Sequence, residues 1–208
     1  MCQKPQHLTG WAAVRRAIEC LLSTHDRPVV VALDGGSGAG KSTLAAWIAE
    51  RFDVALIPLD DFFAAHIPDR QCDCFTVAQK LARVFDWQRV RREVLVPLRA
   101  GRPARWHAFD FAAGLRADGT YGMLEEVIER APAGLILLEG AYAAGPPLVD
   151  LIDLSILVDV PCAERHARLR AREDPGFLAA WHRRWDPVER YYFTRVRPPS
   201  AFDLVVRG

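Results

Sequence analysis

Short apolar runs and amphipathic segments alternate along most of the chain. Continuous apolar runs of this length are typical of strands that are buried on both faces of a sheet. Strands that alternate with helices predict a mostly parallel sheet with helices on both faces. The predicted strands are residues 29–33, 54–58, 135–138, 154–158 and 202–206.

Apolar residues at helical spacing predict the helices between these strands. Thr9 is a candidate cap for the first helix, which should end near Leu22. An amphipathic pattern in residues 87–99 is followed by Gly101, as expected at a helix end. Residues 64–76 have no regular pattern and are a candidate substrate-side loop. The other predicted helices are residues 42–50, 123–130, 162–173 and 177–195.

The charges of the chain nearly cancel, with 27 Lys and Arg against 26 Asp and Glu in 208 residues. This balance does not support a surface that binds nucleic acid or an anionic membrane. No apolar run is as long as a bilayer-spanning helix, and the five cysteines lack the spacing of a disulfide-rich secreted domain. Cys72 and Cys74 have no second pair at metal spacing, which argues against a zinc site there. We expect one cytoplasmic domain of residues 1–208.

Residues 35–42 match the phosphate-loop pattern G-x-x-x-x-G-K-[ST] and lie between a predicted strand and a predicted helix. Glycines let backbone N–H groups approach phosphate oxygens, and the start of a helix adds unpaired N–H groups. Lys41 should contact the β- and γ-phosphates, and Ser42 should offer its hydroxyl to Mg²⁺. The residues predicted to bind ATP are Gly35, Gly36, Ser37, Gly38, Ala39, Gly40, Lys41, Ser42 and Thr43.

Acidic residues follow two other predicted strands. Asp60 and Asp61 come after residues 54–58, and Glu139 comes after residues 135–138. Ligands of open α/β sheets bind at the carboxyl ends of the strands, so these acids should face the phosphate loop. A kinase that acts on an alcohol needs one carboxylate for the hydroxyl proton and another for the metal. Asp60 is the candidate for the first role and Glu139 for the second; a turn residue and a solvent-facing acid are the alternatives.

The order of these segments resembles the uridine kinase-like family of P-loop kinases, in the group with phosphoribulokinase and bacterial pantothenate kinase. The resemblance implies the three-layer fold of P-loop NTP hydrolases with a short Arg-bearing lid, here near residues 165–185. It also implies transfer of the γ-phosphate of ATP, with Mg²⁺, to a hydroxyl of a nucleoside. Besides the phosphate loop, it rests on residues 59–63, 85–87, 109–111, 137–140 and 164–173.

The resemblance implies catalytic roles for three residues besides Lys41. Asp60 matches the aspartate that accepts the hydroxyl proton. Arg168 and Arg172 match the lid arginines that close over the phosphates. Their spacing places both on one helix face, where a solvated basic surface paired with nearby glutamates is the alternative.

Departures from the family pattern concern the acceptor. Asp86 matches the aspartate that binds the ribose hydroxyls. Phe109 and Gly114 stand where the family has a Tyr and a His that contact the base, so two polar contacts are lost. Trp106 and Arg105 are further candidates to line the acceptor pocket.

Three functions remain open from the sequence. A nucleoside kinase is favoured by the motif order. A kinase of another alcohol, such as a sugar, a pantothenate-like compound or a specialised metabolite, is favoured by Phe109 and Gly114. A nucleotide-binding regulatory NTPase is disfavoured by Asp60 and the lid arginines. The expected partners are a nucleoside triphosphate and a small-molecule acceptor, and the sequence leaves homo-oligomer formation open.

Overall fold

The structure is a computed structural model that describes residues 10–207, so the predicted cap Thr9 lies outside the described residues. Its strands are β1 (Val29–Asp34), β2 (Val54–Pro58), β3 (Ala104–Asp110), β4 (Gly122–Arg130), β5 (Leu135–Glu139), β6 (Leu154–Asp159) and β7 (Leu204–Arg207). Five of them form a parallel sheet in the order β2, β5, β1, β6, β7, while β3 and β4 form a separate antiparallel pair. The predicted parallel sheet is confirmed.

Helices connect these strands. They are α1 (Trp11–Thr24), α2 (Lys41–Ala49), α3 (Asp69–Asp73), α4 (Val77–Arg83), α5 (residues 87–99), α6 (Cys162–Arg170) and α7 (Pro175–Tyr191). The middle of α5, Val90–Leu95, is π-helical, and a second π-helical turn, Tyr192–Val196, continues α7. Short 3-10 turns cover Leu59–Phe62, Val149–Leu151 and Pro199–Ala201. The irregular region 64–76 thus contains one short helix, α3.

Alternate residues of β1 face opposite sides of the sheet, as the period of a strand requires. Val31 and Leu33 pack in a cluster with side chains from α1 and α2. Val30 and Ala32 pack in a second cluster with side chains from α5, α7 and β3. Every residue of β1 is buried, which explains the uninterrupted apolar sequence of residues 29–33. The predicted three-layer P-loop fold is therefore confirmed.

Residues 123–130 lie in strand β4, and the prediction of a helix there was wrong. The strand pairs with β3, with Trp106 opposite Ile128, so that the backbone groups of each strand satisfy those of the other. Trp106 is buried against Phe62, with ring centroids 5.7 Å apart, which attaches the hairpin to the core. The partner strand lies about twenty residues upstream, so local spacing could not reveal the pairing.

A buried carboxylate fixes the end of β1. Asp34 is completely buried and accepts hydrogen bonds from the N–H groups of Gly35 (2.7 Å), Tyr142 (2.8 Å) and Ala144 (3.0 Å). The hydroxyl of Tyr192 donates a fourth bond of 2.7 Å. Burial raises the pKa of Asp34, and these hydrogen bonds oppose that shift. The carboxylate thereby joins β1 to the chain after β5 and to the end of α7.

The Tyr192→Phe variant tests this junction. It keeps the ring but leaves the buried carboxylate with one donor fewer, which should lower the free energy of unfolding by about 1–3 kcal/mol. Urea denaturation measures the change. The matched control is Tyr191→Phe, because Tyr191 is only partly buried and precedes Tyr192 on the same helix; its effect should stay within about 0.5 kcal/mol. Equal losses in the two variants would contradict the role given to the Tyr192 hydroxyl.

Candidate active site

The phosphate loop lies between β1 and α2, as predicted, and its shape requires glycine. Gly38 and Gly40 have φ values of 79° and 90°, a region that side-chain-bearing residues rarely adopt. A Cβ atom on Gly38 would lie 2.8 Å from the carbonyl oxygen of Arg165. A Cβ atom on Gly35 would lie 2.7 Å from the carbonyl oxygen of Val158. The loop is thus closely packed against β6 and α6 on its outer side.

Lys41 and Ser42 begin α2 and project toward the end of β5. The Lys41 side chain is buried, and its Nζ donates to the carbonyl oxygen of Gly36 at 3.2 Å, so it spans the loop. The Ser42 hydroxyl lies 3.5 Å from Oε2 of Glu139. β5 is the neighbour of β1, with Leu33 opposite Glu139, which brings the two strand ends together. A hydroxyl and a carboxylate oxygen this close to a phosphate loop fit the oxygen-rich coordination of Mg²⁺.

The phosphate loop opens into a cleft of about 780 Å³. Asp60 lies in the turn after β2 and lines this cleft. β2 pairs with β5 on the side away from β1, so the end of β2 also lies near the loop. The catalytic and metal candidates all line the cleft: Lys41, Ser42, Asp60, Glu139, Arg168 and Arg172. The structure therefore brings together residues as far apart in sequence as Lys41 and Arg172.

Two of the acidic residues that line the cleft, Asp60 and Glu139, have shifted pKa values. The protein surrounding the Asp60 carboxyl raises its pKa, and the charges of Lys41 and Arg172 oppose this shift. Partial burial likewise raises the pKa of Glu139, opposed by Lys41 and reinforced by Asp60. The Lys41 ammonium therefore lies close enough to both carboxylates to stabilise their charged forms.

Sequence analysis missed two residues that hold the phosphate loop from outside. Arg165 on α6 donates to the carbonyl oxygen of Ser37 at 2.9 Å and to Oε2 of Glu189 on α7 at 2.8 Å. The Glu189 carboxylate in turn accepts the N–H of Ser37 at 2.8 Å. Arg165 lies three residues before Arg168, so the same helix-face argument could have included it. Glu189 has no local signal, because only the packing of α7 places it there.

The lid arginines are held in place by neighbours. Arg168 pairs with Glu164 on its own helix and donates to the carbonyl oxygens of Gly38 (3.4 Å) and Ala39 (3.3 Å). α6 ends at Arg170, so Arg172 lies in the turn after the helix, and the prediction that both arginines share one helix face was wrong. In that turn Arg172 pairs with Glu173 at 2.6 Å. Arg168 therefore combines an ion pair with a contact to the loop, whereas Arg172 lines the cleft without touching the loop carbonyls.

The predicted acceptor residues do not line the cleft. Arg105 pairs with Glu129 on the exposed side of the hairpin, and Trp106 is buried with its indole N–H bonded to Asp61. Asp86 caps α5 by accepting the N–H of Arg89, directly after the cleft residue Phe85. Phe109 is buried beside Phe63, with ring centroids 5.6 Å apart. Phe109 and Asp86 therefore support the cleft wall from behind, whereas Arg105 and Trp106 belong to the hairpin.

Aromatic side chains line much of the cleft beside the phosphate loop. Phe111 and Phe177 are 61% and 54% exposed, which is unusual for large apolar side chains. Phe111 meets Phe63 edge-on, with ring centroids 5.8 Å apart. The aromatic residues of the cleft are Phe63, Phe85, Phe111, Tyr142, Phe177, Trp181 and Trp185. An exposed aromatic surface beside a phosphate loop indicates a ligand with an apolar or flat part.

Known proteins with similar sequences are uridine kinases. The chain is 29% identical over 189 residues to a uridine kinase of Clostridium botulinum, covering 83% of this chain and 80% of that protein. It is 26% identical over 186 residues to a uridine kinase of Latilactobacillus sakei, covering 86% and 80%. No family model matches the chain. The predicted resemblance to uridine kinase-like P-loop kinases is confirmed.

Solved structures show the same fold. A possible uridine kinase from Bacillus stearothermophilus has a TM-score of 0.65 at 17% identity and covers 93% of this chain and 98% of its own. A putative fructose transport system kinase from Silicibacter has a TM-score of 0.65 at 24% identity and covers 96% and 99%. The chain is a P-loop small-molecule kinase. Within residues 10–207, no helix of this kinase combines the length and apolar character needed to cross a membrane.

The Gly38→Ala variant tests the close packing of the kinase's phosphate loop. Its new methyl group would meet the Arg165 carbonyl, so the loop must move, and affinity for Mg·ATP should fall more than about tenfold. Isothermal titration calorimetry measures the affinity. Gly114→Ala is the control, because Gly114 also has positive φ (64°) but nothing within 4 Å of the added atom. Unchanged affinity in the Gly38 variant would refute the required fit.

Proposed function

We propose that this kinase transfers the γ-phosphate of ATP to a hydroxyl group of a nucleoside. The observation that carries the proposal is the position of Asp60 in one cleft with Lys41 of the phosphate loop and an exposed aromatic surface. Donor phosphates bound by the loop would lie between this carboxylate and the lid. The relatives named uridine kinase support a nucleoside as the acceptor.

In the proposed reaction, Asp60 orients the acceptor hydroxyl and accepts its proton as the oxygen attacks the γ-phosphorus. The bond from that phosphorus to the bridging oxygen breaks, and ADP leaves. Lys41, Arg168 and Arg172 stabilise the negative charge on the transferring group, since cations near phosphate oxygens favour such a transition state. Positioning and charge therefore supply most of the catalysis.

The metal candidates have a defined part in this scheme. Ser42 and Glu139 would hold Mg²⁺, directly or through water, because their oxygens lie 3.5 Å apart beside the phosphate loop. Bound Mg²⁺ neutralises charge on the β- and γ-phosphates. Arg168 holds α6 against the loop. In this position α6 would exclude water that could otherwise accept the transferred phosphate.

The aromatic residues of the cleft favour an acceptor with a flat part. The exposed rings of Phe111 and Phe177 offer surfaces on which a base can stack, and stacking is tolerant of base identity. Phe109 and Gly114 have no polar side-chain atom that could contact the edge of a base. We therefore propose that the enzyme recognises the sugar hydroxyl strictly and the base loosely.

A second candidate is a kinase of a non-nucleoside alcohol. The same loss of polar contacts at Phe109 and Gly114 favours this candidate. An apolar cleft lining can bind any acceptor that carries a hydrophobic group beside its hydroxyl. A regulatory NTPase is the third possibility, which would hydrolyse the nucleotide without an acceptor.

An acceptor panel separates these candidates. We expect ADP release to depend on added ribonucleosides, with kcat/KM values for different bases within about tenfold of each other, because stacking contributes little discrimination. A coupled assay for ADP over nucleosides, sugars and pantothenate-like alcohols gives the measurement. Activity only with a sugar or a pantothenate-like alcohol would favour the second candidate, and acceptor-independent hydrolysis alone would favour the third.

The Asp60→Asn variant tests the proton acceptor. An amide of nearly the same shape cannot take the hydroxyl proton, so turnover should fall about 10²–10⁴-fold while affinity for Mg·ATP is retained. Steady-state kinetics and calorimetry separate the two effects.

The neighbouring acid gives a matched control for that variant. Asp61 accepts the indole N–H of Trp106 at 2.8 Å and does not line the cleft. Asp61→Asn keeps an oxygen for this bond and should leave turnover within a few-fold of the wild type. Equal activity of the folded Asp60 and Asp61 variants would refute the assignment of Asp60.

A further inference from the structure

A cluster of metal-ligand side chains lies between α6 and α7, apart from the residues given a role in catalysis. α6 carries Cys162 and His166, and α7 carries His182 and Asp186. Each pair is spaced four residues apart, so both members lie on one face of their helix. Among residues 10–207, His166, His182 and Asp186 form the only group of three such side chains whose ligand atoms all lie within 4.8 Å of one another.

The distances within this cluster suit one shared cation. His166 Nε2 lies 3.3 Å from Oδ2 of Asp186, and His182 Nδ1 lies 3.0 Å from Oδ1 of the same carboxylate. Cys162 Sγ lies 3.3 Å from the same nitrogen of His166. Donor atoms on a tetrahedral zinc ion with bonds of about 2.0–2.1 Å are about 3.3 Å apart. His166, His182 and Asp186 are therefore already close to the spacing that coordination requires, and Cys162 lies beside His166.

The surroundings of the cluster leave the Asp186 carboxylate available to a cation. The rings of His166 and His182 lie 4.0 Å apart between centroids, and both contact the Asp186 carboxylate. Arg165, next to His166 on α6, is already paired with the buried Glu189. A metal ion bound by both imidazoles would be balanced by the Asp186 charge.

We propose that Cys162, His166, His182 and Asp186 bind one Zn²⁺ ion. Nitrogen, sulfur and carboxylate donors in a group of four are characteristic of zinc, whereas Mg²⁺ prefers oxygen donors alone. Cys162 is a free, exposed thiol, so its thiolate can complete the set. The site is separate from the Ser42 and Glu139 pair proposed for Mg²⁺.

The position of the cluster gives the ion a structural effect on the lid. His166 lies between Arg165 and Arg168, which contact the phosphate loop, and Asp186 lies one turn before Glu189. Cys162, His166 and Asp186 line a second cleft of about 390 Å³ together with Gly36 of the loop. An ion that bridges α6 and α7 would fix the two helices relative to each other. It would thereby keep in place the contacts that both helices make with the loop. It would stabilise the lid without taking part in phosphate transfer.

Cobalt substitution tests the site directly. The protein, freed of any histidine tag and stripped with a chelator, is titrated with Co²⁺ in the presence of excess Mg²⁺. We expect one equivalent to bind with the intense visible absorption of four-coordinate Co²⁺, and we expect Zn²⁺ to displace it. A weak six-coordinate spectrum, or no binding, would overturn the proposal.

Variants assign the ligands. His166→Asn and His182→Asn should each abolish the four-coordinate spectrum, whereas His66→Asn, which alters an exposed loop histidine, should leave it unchanged. Cys162→Ser should remove the sulfur-to-cobalt charge-transfer band, and its persistence would overturn Cys162 as the fourth ligand. Retention of the visible bands in both histidine variants, or their equal loss in the His66 variant, would overturn the site.

Thermal denaturation provides a second readout that is independent of kinase activity. Zn²⁺ should raise the melting temperature of the wild type and of His66→Asn, because the ion binds the folded protein and stabilises it by mass action. It should not raise that of His182→Asn. An equal rise in all three proteins would contradict a site between α6 and α7.

Discussion

The buried carboxylate of Asp34 determines where the phosphate loop begins. Its four hydrogen bonds reach the first residue of the loop, the chain after β5 and the hydroxyl of Tyr192 at the end of α7. A buried charge is tolerated only when its hydrogen-bonding capacity is satisfied, so these segments must assemble together. The loop amides, Glu139 and α7 therefore take up their relative positions as one unit, and the arrangement of the cleft depends on it.

α6 and α7 hold the outer side of the loop. The ion pair of Arg165 and Glu189 is nearly buried and contacts both the N–H and the carbonyl of Ser37. Such a pair is costly to break on one side, because the remaining charge would stay unpaired. The adjacent cluster of His166 and Asp186 acts at the same junction of the two helices. Both helices thus contact the loop directly.

The lining of the cleft has two kinds of side chain. Charged groups such as Lys41 and Asp60 lie in it together with exposed aromatic rings such as Phe111 and Phe177. Charged groups aimed at a transferring phosphate can act on any acceptor that presents a hydroxyl, whereas the aromatic rings determine which acceptor bodies fit. The residues proposed to act on the phosphate match the uridine kinase-like pattern, whereas Phe109 and Gly114 depart from it.

Local period and spacing were enough to predict the parallel sheet, the phosphate loop and the acids at the strand ends. The sequence also indicated Arg168 and Arg172 as residues near the loop, but α6 ends at Arg170, so the two do not share a helix face. Four other features emerge only in the folded chain: the β3–β4 hairpin, the contact of Glu189 with the loop, the absence of Arg105 from the cleft and the contact of His166 with His182. These depend on contacts between residues distant in the chain, and a local pattern contains no information about which distant segments will pack together.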